Sequence, residues 1–556
     1  MSKKILIIGL DGTTFNFIDP LIAKGRLPVL AKLMKEGIRS PLETIFPPIT
    51  SAAWTSFITG KNPGKHGIFE FIQRRQGQAR ETAANATQRS GKALWDLFSE
   101  EKRPAISTNF PVTYPPSPIN GVMISDFMTP RGRRDIAQPA SVLAELEAKF
   151  GPYKLYMTET YARGNVDNVL KELHEELDYK SKVNCYLMQN YDWQMFVTHI
   201  WGTDRCQHEL WHIFDDTHPR HDKEEAKLYR ERIYDYWDTV DREVGNMLSA
   251  AGEDTAIFIA SDHGFGPAYT YCAFNIWLMQ EGFLKLKPDA FTRLKKLMFS
   301  LGLTPEFAYT LLRNPLLKSL RPSRGVGTQK SKVGLINKFF LSFNDVDWSK
   351  TTAFSKGNYG QIFVNLKGRE IAGSVSQGEE YEQVRNQVIE KLRQIKDPKT
   401  GGKLIGPIYK REETFSGEHL TDAPDICFLP EDMSYVSLGS LDFMSNRFMV
   451  KSFGNSGTHR LHGVLIAKAK ELKSGFTLPN AHITDAAPTI LHLANLPIPP
   501  DMDGKVLSEI FTEEFLRNNP IRIGKEASRG QVAAAEFSDE ESEEVRARLH
   551  ELGYMG

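Results

Sequence analysis

The stretch KILIIGLDG, residues 4–12, decides the fold. Its run from Ile5 to Leu10 is continuously apolar, as a strand covered on both faces must be, and it stops at Asp11-Gly12. Working outward, the same grammar repeats. A helix begins near Pro28, with proline in its first turn and Gly37 just past its end. SGKALWDLFSEEKR (90–103) reads as a helix and PAISTNF (104–110) as a strand. A long helical stretch near 167–191 leads into strand-like DWQMFVTHI (192–200), and a charged helix near 223–250 into the strand TAIFIAS (255–261). GVLIAKA (463–469) is a further strand, followed by a helix over 483–496. Strands alternating with helices predict an α/β protein built on a doubly wound, mostly parallel sheet.

With 556 residues the chain can hold a large α/β enzyme or two to three ordinary domains. A net charge of zero gives no global field for nucleic acid. Cys185, Cys206, Cys272 and Cys427 are scattered without a CxxC pair, which fits a reducing compartment. The opening MSKKILIIGL has too short an apolar run for a membrane span and no cleavage region. A cytoplasmic location is expected.

Residues 285–338 differ from the rest. Twelve Lys and Arg stand there against Asp289 and Glu306, a net charge of +10, among leucines and phenylalanines broken by Pro305, Pro315 and Pro322. The expected organisation is a core over 1–284, this basic helical insertion capping one end of the sheet, a second core part over 339–515, and a peripheral tail over 516–556. The prolines favour a cap over membrane-binding helices, though peripheral membrane contact through 285–338 is a second reading.

Polar residues gather where strands end. Asp11 follows the first strand, Asp204 follows the 192–200 strand, and Asp262-His263 follow the 255–261 strand. In open α/β sheets the carboxyl ends of strands are where sites are built. Taken singly, each of these acids reads better as a turn or cap residue; three together, with Thr50 heading a helix, reverse that preference. In TIFPPITSAAWTSFITGKNPGKHG (44–67), two prolines end a ladder and Thr50 is placed as the N-cap of an apolar helix closed by Gly60. A hydroxyl there lies among unpaired N–H groups that attract anions. In GTDRCQHELWH (202–212), Asp204 and His208 fall on one helix face and can grip one cation, zinc or a similar divalent ion. His212 is read as supporting or packing. SGTHRLHG (456–463) supplies His459 or His462, and spacing does not choose between them. Two dications can hold a phosphoryl group between them and ionise a hydroxyl nucleophile, which is what Thr50 would need.

In these pieces the sequence resembles the alkaline phosphatase superfamily, in its type I phosphodiesterase/nucleotide pyrophosphatase branch. The matching segments are LIIGLDG (6–12), Thr50 to TGKNPGKHGI (59–68), TDRCQH (203–208), SDHGFGP (261–267), SGTHR (456–460), DAAPTIL (485–491) and DMDGKVL (501–507). The resemblance implies a three-layer sandwich and two divalent ions, zinc or alternatively manganese. One would lie on Asp204, His208 and a late histidine, taken as His459 because GTHR is the family-like piece. The other would lie on Asp11, Asp262, His263 and the Thr50 oxygen.

Two departures stand out. The branch usually has an asparagine contacting phosphate shortly after the HG pair, and here HGIFEF (66–71) offers Phe71; Lys61, Lys65 and Asn109 are possible substitutes. The formylglycine pattern of sulfatases is absent from T-S-A-A-W. GKNPGKH is not a P-loop, because its glycines are too close and His66 stands where Ser or Thr should bind magnesium. The expected activity is metal-dependent hydrolysis of a small-molecule phosphodiester or phosphomonoester through a phosphothreonine intermediate. A phosphomutase or phosphotransferase on the same site is the alternative, and a non-catalytic binding protein on this scaffold is a third reading.

Overall fold

The computed structural model describes residues 3–73, 81–162, 164–307, 339–439, 443–526 and 537–551. Its centre is a ten-stranded sheet. In chain order the strands are β1 (Ile5–Leu10), β2 (Ile38–Glu43), β3 (Ala105–Thr108), β4 (Gly121–Ile124), β5 (Ala137–Gln138), β6 (Met195–Ile200), β7 (Ala256–Ala260), β8 (His462–Lys468), β9 (Phe476–Thr477) and β10 (Ala481–His482). They lie in the order β9-β2-β8-β7-β1-β6-β3-β4-β5, with β10 also on β2. β7, β1, β6, β3 and β4 run parallel, whereas β8 is antiparallel to both β7 and β2.

The apolar run of β1 shows why the sheet needs two covers. Leu6, Ile8 and Leu10 join one hydrophobic cluster, while Ile5 and Ile7 join the cluster on the opposite face. Helices α2 (Val166–Asn190), α3 (Gly202–Phe214) and α4 (Lys223–Ala251) cover the first face. Helix α1 (Thr50–Thr59) and the helix Ala486–Leu493 cover the second, giving a three-layer sandwich. Each buried Leu or Ile contributes about 1.5–3 kcal/mol relative to exposure.

A separate core lies beyond residue 270. Cys272, Phe274, Phe299, Leu341, Ile362, Val388 and Ile426 pack together around a four-stranded sheet of Ala353–Ser355, Gln361–Val364, Ile426–Pro430 and Ile405–Lys410. This unit reaches past both ends of the expected 285–338 insertion. Of that insertion, residues 308–338 lie outside the described residues. Helix α5 (Ala290–Ser300) belongs to the described part.

The tail departs from expectation. Helix α6 (Asp539–Glu551) buries Val545 and Leu549 in the first core cluster, and Arg548 donates to the Thr129 carbonyl at 3.0 Å. Its acidic residues face Arg131 and Arg133. The acidic residues are therefore one side of a docked helix. Among the described residues no helix is long and apolar enough to cross a membrane.

Candidate active site

Three parallel strands deliver their ends to one place. Asp11 leaves β1, Asp262 and His263 leave β7, and the chain after β6 turns directly into α3, whose first turn carries Asp204. One turn on, His208 faces the same way, with Nε2 3.5 Å from Asp204 Oδ1. The strand Gly457–Arg460 pairs antiparallel with Gly264–Pro267, placing His459 opposite Phe265 and over the same spot. His459 Nε2 is 3.5 Å from Asp204 Oδ1. His462 is the exposed first residue of β8 and stays outside this cluster. Gly12 follows Asp11 with φ at +64°, and a Cβ there would lie 2.8 Å from the Phe265 ring, so the turn needs glycine.

The seven expected side chains are all buried, and six of them fall into two groups. Asp204, His208 and His459 form one set of converging donor atoms, and Asp11, Asp262 and His263 the other. His263 joins them: its Nε2 is 3.5 Å from Asp11 Oδ1, 3.2 Å from Asp262 Oδ2 and 4.0 Å from Asp204 Oδ1. Thr50 Oγ1 lies 3.3 Å from the same nitrogen.

Thr50 is the first residue of α1 and not its cap. Ile49 takes the cap position with extended backbone, and no side chain caps the helix. The first-turn N–H groups therefore remain available beside the Thr50 hydroxyl. Gly60, in the left-handed region at φ +66°, ends the helix as expected.

Ring orientation is fixed by the backbone. His208 Nδ1 lies 3.0 Å from the Gly457 carbonyl, His263 Nδ1 3.1 Å from that of Gly264, and His459 Nδ1 2.5 Å from that of Pro48. A carbonyl only accepts, so each Nδ1 donates to it and each Nε2 is turned toward the cluster. The His208 and His459 Nε2 atoms are 2.8 Å apart, and the His263 and His459 rings stack at 3.5 Å. Asp11 Oδ1 and Asp262 Oδ2 are buried with no hydrogen-bond partner. Carboxylate oxygens and imidazole lone pairs converging without donors form a set that fits divalent cations.

The electrostatics say the same. Burial pushes Asp11 well above the usual carboxylate range, and Asp204 adds to the rise. Burial raises Asp262 likewise, with Asp11 contributing. Burial would also raise Asp204, but His208, His459 and His263 around it hold it low. Burial brings His208 down to about 4 and lowers His263 well below its ordinary value, the direction that favours neutral rings.

Several residues were not singled out from the sequence. His199, on β6, has its Nε2 2.7 Å from Asp11 Oδ2, and Trp54 Nε1 donates to the same oxygen at 3.4 Å. Ser51 follows Thr50 with a buried Oγ that has no hydrogen-bond partner. Tyr359 lies face-on to His459 at 5.2 Å. Only the position of His199 near a strand end, two residues before the loop to Asp204, could have marked it.

The other candidates are held elsewhere. His212 Nδ1 meets Ser456 Oγ at 3.0 Å and its Nε2 meets Tyr161 OH at 3.0 Å, a supporting place away from both donor sets. Lys61 pairs with Asp501 and Lys65 with Asp503, tying the basic loop to DMDG. Asn109 donates to the Ser125 carbonyl and accepts from Tyr153 OH, each at 2.9 Å. Phe71 is a core residue. Each of the three suggested substitutes for the family asparagine thus has partners of its own in the structure.

The family model for type I phosphodiesterase / nucleotide pyrophosphatase matches residues 5–463. In fold the chain is similar to murine ectonucleotide pyrophosphatase/phosphodiesterase 5 in an inactive form with AMP, at 11% identity, 92% of this chain, 100% of that chain and a TM-score of 0.50. It is also similar to phosphonoacetate hydrolase from Sinorhizobium meliloti 1021 in complex with phosphonoformate, at 12% identity, 87% of this chain, 94% of that chain and a TM-score of 0.51. The search of curated proteins gives no match. The architecture is that of the alkaline phosphatase-like fold.

Proposed function

The chain belongs to the type I phosphodiesterase/nucleotide pyrophosphatase family of metal-dependent phosphoric ester hydrolases, and on that premise we propose hydrolysis of a small-molecule phosphodiester or phosphomonoester through an intermediate on Thr50. Asp204, His208 and His459 would hold one divalent cation; Asp11, Asp262, His263 and Thr50 Oγ1 would hold a second. The observation that carries this reading is the convergence of three backbone-oriented Nε2 atoms with the donor-less oxygens of Asp11 and Asp262. Bound there, the cations would offset charge on the phosphoryl oxygens and favour the ionised Thr50 hydroxyl. Imidazole mixed with carboxylate suits zinc, with manganese as the alternative.

Thr50 Oγ1 would form the bond to phosphorus as the bond to the departing oxygen breaks, and the proton that Thr50 gives up would be matched by one taken by the departing alkoxide, so that a neutral alcohol leaves. First-turn N–H groups of α1 point at the phosphoryl oxygens. Water then displaces the phosphoryl group from Thr50 and restores the hydroxyl. We also place the protein in the cytoplasm; its four cysteines, none paired with another, suit that compartment.

The test is metal content by elemental analysis together with turnover of bis(p-nitrophenyl) phosphate. Two transition-metal ions per chain and chelator-sensitive turnover are expected. A protein that binds no such ion and gains no activity with added zinc or manganese overturns the proposal. Product analysis with acceptor alcohols separates hydrolysis from phosphoryl transfer to an alcohol.

A further inference from the structure

Helix α5 (Ala290–Ser300) turns its apolar side outward. It sits on the second core through Thr292, Lys295 and Phe299, all buried. Lys295 Nζ pairs there with Asp345 at 3.0 Å, and Asp289 caps the helix by accepting from the Thr292 N–H at 2.9 Å. Away from that contact, Phe291, Leu294, Leu297 and Leu301 are 57%, 53%, 57% and 72% exposed. Their spacing of three or four residues makes one stripe along the helix, prolonged by exposed Leu303 and Phe307. Lys285, Lys287, Arg293 and Lys296 are exposed around it, and between residues 285 and 301 Asp289 is the only acidic residue.

We propose that this face is a peripheral docking surface for anionic lipid membranes. The stripe would enter the boundary between headgroups and acyl chains, and the basic side chains would meet lipid phosphates. Charge argues for this occupant over a second copy of the chain, because two copies would bring the same cations face to face. Short membrane-binding peptides must order themselves on the bilayer, but α5 is already ordered by Phe299 in the core and by the Lys295–Asp345 pair. This surface is independent of the phosphoryl-transfer reading.

The full-length protein should sediment with phosphatidylcholine vesicles containing phosphatidylserine and not with pure phosphatidylcholine vesicles, and raised salt should weaken the binding. The double variant Leu294→Asp/Leu297→Asp should keep its melting temperature and turnover yet bind about tenfold more weakly or worse. Arg293→Glu/Lys296→Glu should lose the phosphatidylserine preference. Three results overturn the proposal. One is no sedimentation with either vesicle. Another is a fall in melting temperature in the leucine variant, which means the stripe is covered by the protein's own chain. The third is a concentration-dependent dimer that the leucine variant abolishes, which means a second copy covers it.

Discussion

His208 and His459 present their Nε2 atoms to each other at 2.8 Å, while each gives its Nδ1–H to a backbone carbonyl, of Gly457 and of Pro48. With both Nδ1–H groups engaged in this way, the two Nε2 atoms converge where a single cation can be shared. Asp204, held ionised beside them, supplies the anionic donor that such an ion takes.

The second donor set gives the first prediction. Asp262 has one oxygen with no hydrogen-bond partner, and the other accepts a long bond from Gly12 N–H at 3.3 Å. Asp262→Ala should reduce bound metal from two ions to one and lower turnover about 100-fold or more. Elemental analysis and kinetics on the same preparation check it; unchanged metal content would place the second ion elsewhere.

His199 should act through Asp11. Its neutral ring, brought down to about 3 by burial, touches Asp11 Oδ2 at 2.7 Å and fixes that carboxylate's orientation. His199→Ala should weaken metal binding about 10–100-fold, with activity returning at excess metal, whereas His199→Gln retains more. A metal titration identical to wild type would leave His199 with a packing role against Trp54 and Phe110.

Much of this site was legible because strand ends are visible in sequence. Apolar runs stop abruptly at Asp11 and Asp262, and Asp204 with His208 shows helical spacing. What spacing could not supply was the choice between His459 and His462. That depends on Gly457–Arg460 pairing with Gly264–Pro267, a contact between segments far apart in the chain. His199 was hidden for the same reason, since its role comes from what packs opposite it. The tail was placed at the periphery because nothing in its sequence names the core that Val545 and Leu549 meet once folded.

The tail yields a third prediction. Leu549→Ala should cost about 2–5 kcal/mol of stability, as for other buried leucines. Denaturant unfolding would read it, and a midpoint equal to wild type would return the helix to the surface.

Asp126 gives a pH signature. It is buried, accepts from Thr113 and Met128 N–H, and burial raises it from 3.8 to about 6. Its folded-state value lies above the unfolded one, so the folded protein holds the proton more tightly. The stabilising contribution is complete below the unfolded value and is lost as pH rises through about 6. Asp126→Asn should remove up to about 3 kcal/mol from the stability difference between pH 4 and pH 7. Parallel curves for the two proteins would contradict it.

The central claim rests on Thr50, whose hydroxyl meets the second donor set at the start of α1. The decisive measurement is turnover of bis(p-nitrophenyl) phosphate by metal-loaded wild type, Thr50→Ala and Thr50→Ser, each with its metal content determined. Thr50→Ala should lose about 1,000-fold or more of kcat while folding normally and retaining metal, and Thr50→Ser should keep part of the activity. Wild-type turnover by metal-loaded Thr50→Ala would mean that water attacks phosphorus directly and that no phosphothreonine forms.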